Sequence, residues 1–254
     1  MFKSKLLLLT VIASVITISC TKESQLTNKV TPSPTEVRVK TKSSGNKTET
    51  YFYDSQKRLS KIIFSENGSS YYFEYSYNNG LVLEYRSNEP RYEEEQVLPN
   101  GAVRINCASN PRKISIDAGG YFKGNSSSCE TKAFEYDKNG FITKQELFIT
   151  DYSRTDIIAN DGKNIRSISS TGFNYGGGYF AYNTTFEYTD IKSTISNINF
   201  GRPFLGKSSE FLEKSKTENG NTTTYFYELD AQQRVINKTE INNKEEIVTT
   251  YTYY

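Results

Sequence analysis

Residues 71–85 have the sequence YYFEYSYNNGLVLEY, and this stretch decides the fold. Aromatic residues occupy every second position from Tyr71 to Tyr77, and after Asn79-Gly80 a second alternation runs through Leu81, Leu83 and Tyr85. A period of two is typical of half-buried β-strands, and Asn-Gly supplies the positive φ that a hairpin turn requires. The stretch therefore predicts two antiparallel strands joined by a tight turn.

The same alternation and the same turn signals recur along the chain. Two further apolar faces are formed by the even-numbered residues of 180–188 and by the odd-numbered residues of 247–253. Further turn signals are Ser44-Gly45-Asn46, Asn67-Gly68, Asn100-Gly101, Asn139-Gly140, Asp161-Gly162 and Asn219-Gly220. We expect an all-β fold, an antiparallel meander of about 12 to 14 strands curled into a half-barrel or barrel, because open sheets rarely exceed roughly 10 strands without curling or splitting. A two-layer sandwich is the alternative.

The composition excludes several chemistries. The chain has 254 residues, 20 Tyr, 15 Phe, no His and no Trp. Without histidine there is no Ser-His-Asp or Cys-His nucleophile, no imidazole acid or base, and no imidazole metal ligand. We therefore expect no catalytic residues, no cofactor and no metal site.

The first twenty residues are typical of a bacterial export signal. Lys3 and Lys5 precede an uncharged run, residues 6–18, which is shorter than the roughly 20 residues of a membrane-spanning helix, and Ser19-Cys20 follow it. Residues 21–34 are polar, contain Pro32 and Pro34, and show no apolar period. The predicted organisation is a signal peptide over residues 1–19, a disordered tether over 20–34 and a single domain over 35–254.

Thr17-Ile18-Ser19-Cys20 resembles the lipobox of bacterial lipoproteins. That resemblance implies cleavage before Cys20 and lipidation of its thiol, with cleavage by an ordinary signal peptidase as the alternative. Lys22-Glu23 is also similar to the export motif of Bacteroidetes-type surface lipoproteins. The expected location is the outer membrane, lipid-anchored, on the cell surface or the periplasmic face.

The charge balance argues against nucleic acid as a partner. Loss of Lys3 and Lys5 with the leader brings the formal charge from +2 to zero, and Lys and Glu alternate along the remaining chain. Nucleic-acid binding needs a dense positive face.

Cys107 and Cys129 are the cysteines that remain after the lipidation site. In an oxidising envelope compartment such a pair predicts a disulfide, which would contribute about 3 kcal/mol by loop closure. Two buried free thiols are the alternative.

A short unit recurs: Tyr51-Phe52-Tyr53-Asp54, Phe134-Glu135-Tyr136-Asp137 and Tyr225-Phe226-Tyr227-Glu228, each followed by a second strand, with no copy between 102 and 128. It resembles the Tyr-Asp (YD, Rhs-like) hairpin repeats of surface proteins. More closely, the chain is similar to a family of uncharacterised Bacteroidetes-type lipoproteins in which a Gly-Lys-x-Ser segment, here from Gly206, precedes the last hairpins. This resemblance implies compartment and architecture and carries no known activity.

Two segments interrupt the hairpin rhythm, residues 172–180 (GFNYGGGYF) and 199–206 (NFGRPFLG). Aromatic residues on glycine-rich loops could line a cavity mouth, so we take Tyr175, Tyr179, Phe200, Arg202 and Phe204 as candidate ligand-binding residues, with Arg202 available to an anionic group. The alternative is a bulge or corner whose aromatic residues fold inward. The tyrosine ladders likewise are either packing or a platform that stacks sugars.

Carboxylates are the main acid-base groups left, and aspartates such as Asp54, Asp137 and Asp161 suit turn positions without any catalytic role. The function that we expect is a non-enzymatic envelope or surface lipoprotein, a binding or structural module for a glycan or peptide, attached to the membrane through Cys20. The alternatives are a carrier of lipid or another hydrophobic ligand and a carboxylate-only hydrolase, which would need two facing carboxylates, one with a raised pKa.

Overall fold

The fold is seen in a computed structural model that describes residues 37–78, 80–88, 95–97, 103–105, 112–118, 120–126, 130–149, 152–174, 176–243 and 245–254. The signal segment, the tether, Cys20, Cys107, Cys129 and Tyr175 lie outside these residues. Lipidation and the disulfide therefore stay predictions.

The described chain contains strands and one short 3-10 turn. The strands are β1 (Val39–Ser44), β2 (Lys47–Tyr53), β3 (Leu59–Glu66), β4 (Ser69–Asn78), β5 (Leu81–Arg86), β6 (Glu95–Val97), β7 (Val103–Ile105), β8 (Arg112–Ile116), β9 (Phe122–Ser126), β10 (Glu130–Tyr136), β11 (Ile142–Ile149), β12 (Tyr152–Asn160), β13 (Ile165–Asn174), β14 (Gly178–Lys192), β15 (Phe211–Glu218), β16 (Asn221–Leu229), β17 (Val235–Asn242) and β18 (Glu245–Tyr253). The 3-10 turn spans Pro203–Leu205, between β14 and β15.

Sixteen of these strands form one closed antiparallel barrel. Neighbours along the chain pair with each other, β5 pairs with β8, and β1 pairs with β18 to complete the closure. The strands β6 and β7 pair only with each other, within the β5–β8 connection. The predicted all-β antiparallel barrel is confirmed, with more strands than the 12 to 14 expected, and the sandwich alternative is not the one adopted.

Side chains alternate between the barrel lumen and the outside. Phe73, Tyr75 and Tyr77 of β4 face the lumen, as their ladder predicted, and so do Tyr251 and Thr249 of β18. In β5 the expectation was wrong: Val82 pairs with Tyr77 and is fully buried, so Leu81, Leu83 and Tyr85 face outward. The hairpin register fixes which face turns inward, and it outweighs the more apolar composition of the other face.

One end of the barrel carries a recurring aspartate turn. After Asp54, Asp117, Asp137 and Asp230, the backbone N–H four residues on donates to the aspartate Oδ1, at 2.9 to 3.0 Å. The residue before that donor has a positive φ in each case: Lys57, Gly120, Gly140 and Gln233. The turn after Asp117 joins β8 to β9, so a further copy of the turn exists where the sequence showed no repeat. The repeat is therefore a hairpin whose aspartate orders its own turn, and in the third copy this aspartate is Asp230 rather than Glu228 of the predicted unit.

Tyrosines stabilise the same end. Four tyrosines are the last inward-facing tyrosines of their strands: Tyr53, Tyr77, Tyr188 and Tyr253. The hydroxyl of each donates a hydrogen bond to the backbone carbonyl of the first residue of the preceding strand, at 2.5 to 2.8 Å. This pattern explains why tyrosine rather than phenylalanine recurs before the turn: the ring packs in the core and the hydroxyl satisfies a backbone acceptor.

Two buried clusters lie near this end. The larger contains Val39, Tyr51, Leu59, Ile62, Leu212, Val235 and Tyr251. The smaller contains Val82, Ile114, Phe122 and Phe204. Phe204 belongs to the β14–β15 connection rather than to a strand, so the core includes a segment inserted from that connection.

Candidate ligand site in the barrel lumen

The connection from Ser193 to Glu210 folds into one end of the barrel, and we call it the plug. Its Asn199 is fully buried; the side-chain Nδ2 donates to the Val37 carbonyl at 3.0 Å, and the Oδ1 accepts from the Ser196 N–H at 3.1 Å. Backbone groups of the plug also form hydrogen bonds with the first residues of several strands. For example, the Leu59 N–H donates to the Gly201 carbonyl at 2.9 Å. The plug is therefore an ordered part of the barrel interior.

Two glycines let the plug approach the wall closely. A Cβ on Gly201 would lie 2.7 Å from the Leu59 nitrogen and the Tyr53 ring, and one on Gly206 would lie 2.7 Å from the Tyr136 ring. Both glycines also have positive φ, of 66° and 80°. A larger residue at either position would displace backbone or a ring, which explains the glycines that frame residues 201–206.

Arg202 stands between these two contacts and faces the lumen. Its guanidinium acts electrostatically on Tyr51, Tyr53, Tyr75 and Tyr77, the inward tyrosines of β2 and β4. The Arg202 Nε is buried and has no hydrogen-bond partner among the described residues. This arginine thus lies at the floor of the lumen, with phenol groups around it.

The hydroxyls of two of these tyrosines point toward carboxylates. Tyr51 donates to Glu49, and Tyr75 donates to Glu84 at 2.9 Å. Burial raises the pKa of both tyrosines, the neighbouring glutamates raise it further, and Arg202 opposes the shift. Both tyrosines therefore stay neutral hydrogen-bond donors.

Beyond Tyr51 and Tyr75, in what we call the hairpin half, charged side chains line the lumen. The ion pairs there are Lys42–Glu49 (2.8 Å), Lys47–Glu66 (3.3 Å), Arg86–Glu84 (3.5 Å), Arg154–Asp156 (2.7 Å) and Lys216–Glu218 (3.1 Å). Asp156 is buried and also accepts from the Ser170 hydroxyl at 2.7 Å. The lining of this half is polar.

Aromatic rings lie between these charges. Phe64 and Tyr71 stack at 4.9 Å, and Tyr152 stacks on Phe180 at 5.8 Å. Phe180 also stacks on Tyr182, over which the Arg154 guanidinium lies at 5.5 Å. The inward residue Tyr71 is 37% exposed and Ile247 is 47% exposed, so solvent reaches the lumen in this half.

A cavity of about 310 Å³ lies between the plug and the wall. Glu213, Tyr227, Lys238 and Leu205 are among its lining residues. Burial raises the pKa of Glu213, Lys238 opposes the shift and Glu240 adds to it. Glu240 itself pairs with Lys238 at 3.0 Å.

The outer wall differs from the lumen. Hydroxyl pairs join neighbouring strands there, such as Ser43–Thr48 at 3.0 Å and Thr217–Thr222 at 2.9 Å. Outward ion pairs include Lys61–Glu74 at 3.1 Å and Lys144–Glu146 at 2.7 Å. Exposed apolar residues such as Phe226 and Phe148 are scattered between them.

The structure separates the candidate residues chosen from the sequence. Phe204 is buried, Phe200 packs on Tyr51 at a ring distance of 5.0 Å, and Arg202 lies between them at the lumen floor. Tyr179 is 90% exposed on the outer face of the β13–β14 hairpin, at the other end of the barrel. The 199–206 segment therefore has its aromatic residues folded inward, and it does not share a site with Tyr179.

The sequence analysis missed the charged lumen residues. Glu49, Glu84, Arg112, Arg154 and Asp156 were not among its candidates. Each occupies an inward position of its strand, on the same face as a buried or aromatic residue, and that placement is the signal that could have identified them. A charge on the face that alternation assigns to the core is unusual without a partner or a ligand.

Two further features are absent from the described residues. These residues contain no group of three or more His, Cys, Asp or Glu side chains placed to hold a metal ion. They also include no helix of the length and hydropathy needed to cross a membrane.

No protein-family model matches the sequence, and no curated protein matches it. Solved structures do share the fold. A porin-like protein from Bacteroides uniformis superposes with a TM-score of 0.57 at 15% identity, over 86% of this chain and 95% of its own. A porin-like protein from Bacteroides vulgatus gives a TM-score of 0.59 at 10% identity, over 86% of this chain and 99% of its own. At these identities the likeness shows the barrel fold alone.

Proposed function

We propose that this protein is a non-enzymatic envelope lipoprotein, anchored through Cys20, whose barrel lumen binds a glycan in the hairpin half. The observation that carries the proposal is the lining of that half, where stacked aromatic rings alternate with ion pairs. Sugars present both apolar faces and hydroxyls, and aromatic rings with flanking charged groups match both.

The same lining argues against the carrier of lipid or another hydrophobic ligand. An acyl chain needs an unbroken apolar wall, because it would shield charged groups from water without offering them any hydrogen bond. Glu49, Glu84 and Asp156 interrupt the wall of this lumen. A peptide is the remaining polar alternative, but its backbone has no ring face, so only its aromatic or proline side chains would use the aromatic stacks.

The outer wall supports anchoring by a lipid. A barrel that faces lipid carries an outward apolar band about 25 Å tall. Here outward ion pairs such as Lys61–Glu74 and Lys144–Glu146 occupy the wall. The described chain begins at Val37, next to the plug, so the predicted tether joins the barrel at its plugged end. The porin-like neighbours from Bacteroides are consistent with an envelope setting.

Two adjacent tyrosines allow a test of glycan binding in the lumen. Tyr71 faces the lumen and stacks on Phe64, whereas Tyr72 faces outward beneath Lys61, and both are 37% exposed. The full chain, extracted from membranes in detergent, is screened on a glycan array and titrated with the best hit. We expect Tyr71→Ala to weaken binding about tenfold, equivalent to about 1.4 kcal/mol, and Tyr72→Ala to leave it unchanged.

Equal losses in the two variants would place binding outside the lumen and contradict the proposal. Native mass spectrometry of the same preparation gives a second result. We expect a chain that begins at Cys20 and carries acyl groups, without a retained lipid ligand. A bound lipid that Tyr71→Ala releases would favour the carrier instead.

Glu213 supports a second candidate, the carboxylate-only hydrolase. It lines the cavity beside the plug, burial raises its pKa, and Glu240 acts on it electrostatically, which is the arrangement that a general acid needs. If this candidate is right, the glycan identified on the array is cleaved slowly by the native chain and not at all by Glu213→Gln. Intact glycan after long incubation with the native chain would exclude it.

A further inference from the structure

Arg202 differs from most arginines of the described chain in having no carboxylate partner there. Six of them lie within 3.9 Å of a carboxylate: Arg58, Arg86, Arg112, Arg154, Arg166 and Arg234. No carboxylate pairs with Arg202 within the described ranges, and its buried Nε–H has no hydrogen-bond acceptor there. Arg202 therefore needs an acceptor that the described side chains do not supply.

The neighbours of Arg202 are already engaged. Glu49 accepts from Tyr51 and pairs with Lys42, and Glu84 accepts from Tyr75. A buried N–H without an acceptor destabilises the folded chain, because the loss of its hydrogen bond to water is not compensated. A folded protein retains such a destabilising group when the group has a role, such as ligand binding, that the ligand-free structure does not reveal.

A second arginine with a buried, unsatisfied Nε–H, Arg112, lies beside Glu84, which accepts the Tyr75 hydroxyl. The Arg112 Nε is buried without a hydrogen-bond partner among the described residues, and its contact to Glu84 is long, 3.9 Å. Arg112 and Arg202 thus each have a buried, unsatisfied Nε–H, and both act on the Tyr75–Glu84 pair, Arg112 through its contact to Glu84 and Arg202 through its electrostatic effect on Tyr75. Two such donors suit an anionic group with several acceptor oxygens.

We propose that Arg202 anchors an anionic group of the ligand, and that the lumen therefore selects acidic saccharides over neutral ones. This inference rests on the function proposed above and adds the chemical class of the ligand. The acidic substituent binds at the floor, where Arg202 and Arg112 lie, and the neutral part of the saccharide extends over the stacked rings of the hairpin half. The substituent is a carboxylate or a sulfate, since both supply the acceptors that a guanidinium requires.

The test compares acidic and neutral ligands on the full chain. Isothermal titration calorimetry is run with an oligogalacturonate, a sulfated oligosaccharide and a neutral oligosaccharide of the same length. The native chain is expected to bind one acidic ligand at least about tenfold tighter than the neutral one. Arg202→Met, which keeps the side-chain stem and removes the charge, is expected to abolish that difference.

Arg166→Met is the matched control, because Arg166 is paired with Asp161 at a turn of the plugged end. It is expected to keep the preference for the acidic ligand. Thermal unfolding without ligand separates a binding role from a structural one. Removal of the unsatisfied N–H is expected to raise the Tm of Arg202→Met by about 2 to 4 °C, whereas Arg166→Met is expected to lower it.

Several results would overturn the inference. A clear fall in the Tm of Arg202→Met would show that the arginine serves the fold. Equal affinity of the native chain for neutral and acidic saccharides would refute the acidic class while leaving the glycan function intact. Tighter binding of oligoglutamate than of either acidic saccharide, or binding of no saccharide at all, would refute the glycan function and the inference together.

Discussion

The two halves of the lumen are built from the same strands and differ in what fills them. In the plug half, Val39, Leu59 and Val235 are fully buried, and tyrosine hydroxyls bond to backbone carbonyls. In the hairpin half, the corresponding inward positions hold ion pairs and aromatic stacks that solvent reaches. One inserted segment, the plug, accounts for the difference, because it supplies the apolar partners that the wall alone lacks.

This difference separates stability from binding. Close packing makes the plug half sensitive to the loss of even one methyl group, whereas an accessible polar lumen contributes little to the free energy of unfolding. Substitutions in the plug half should therefore act on folding, and those in the hairpin half on ligand affinity. Three changes test this division.

The largest effect is expected from Leu59→Ala. Leu59 is fully buried in the plug half, and its truncation should lower the free energy of unfolding by about 2 to 5 kcal/mol, since the lost side chain leaves a cavity. Ile157→Ala removes a side chain of the same size from the outer wall, where Ile157 is 53% exposed, and should cost much less. Denaturant unfolding followed by circular dichroism measures both. Similar losses in the two variants would mean that the plug half is not the stabilising core.

A smaller effect is expected from Asn199→Ala. Its amide donates to the Val37 carbonyl and accepts from the Ser196 N–H within the plug, and its removal leaves the Ser196 N–H without this acceptor and the Val37 carbonyl with the Arg38 guanidinium as donor, at a cost of about 1 to 3 kcal/mol. Asn183→Ala is the control, because Asn183 is exposed on the outer face of β14. The measurement is again denaturant unfolding. A neutral effect at Asn199 would show that the backbone hydrogen bonds and aromatic contacts of the plug hold it without this amide.

The smallest effect is expected from Glu213→Gln. At neutral pH this substitution should raise the stability of the fold, whereas the two preceding ones should lower it. Burial raises the pKa of Glu213 above its ordinary value of 4.5, so the unfolded chain loses this proton first as pH rises. Above its raised pKa, Glu213 is therefore charged while buried, and the folded chain is less stable there than at low pH. Lys238 and Lys216 offset part of this loss of stability, and Glu240 adds to it.

The Gln variant keeps a neutral side chain at all pH values. It should show a higher Tm than the native chain at neutral pH, and the advantage should vanish below the ordinary pKa of a glutamate. Thermal unfolding across this pH range measures the difference. A constant difference in Tm at all pH values would show that Glu213 does not titrate as its burial implies.

The fold was predictable because its signals are local. Alternation in residues 71–77 predicted β4 correctly, and Asn-Gly pairs predicted turns such as Asn67-Gly68 and Asn219-Gly220. The β8–β9 hairpin was missed because its strands are five residues long and its Asp117 turn lacks the preceding Tyr-x-Tyr pair. The inward face of β5 was misassigned because hairpin register, not composition, sets the orientation of a strand.

The candidate site was predictable only in part. Arg202 was singled out for its glycine-rich context, yet nothing local shows that it lies among the tyrosines of β2 and β4, more than a hundred residues away. The lumen pairs are equally remote from one another in sequence: Glu84 meets Arg112 only because β5 pairs with β8.

The sequence by itself determined the strands, the aspartate turns and the antiparallel class, because each depends on residues within one hairpin. Only the tertiary structure decided that the sheet closes on itself through β1 and β18, and that residues 193–210 fill one end. Closure depends on the accumulated twist and stagger of all the strands, and the position of the plug depends on contacts with β2, β3 and β10 at once. Those contacts leave Arg202 without a carboxylate partner among the described residues, in a lumen that no single hairpin contains.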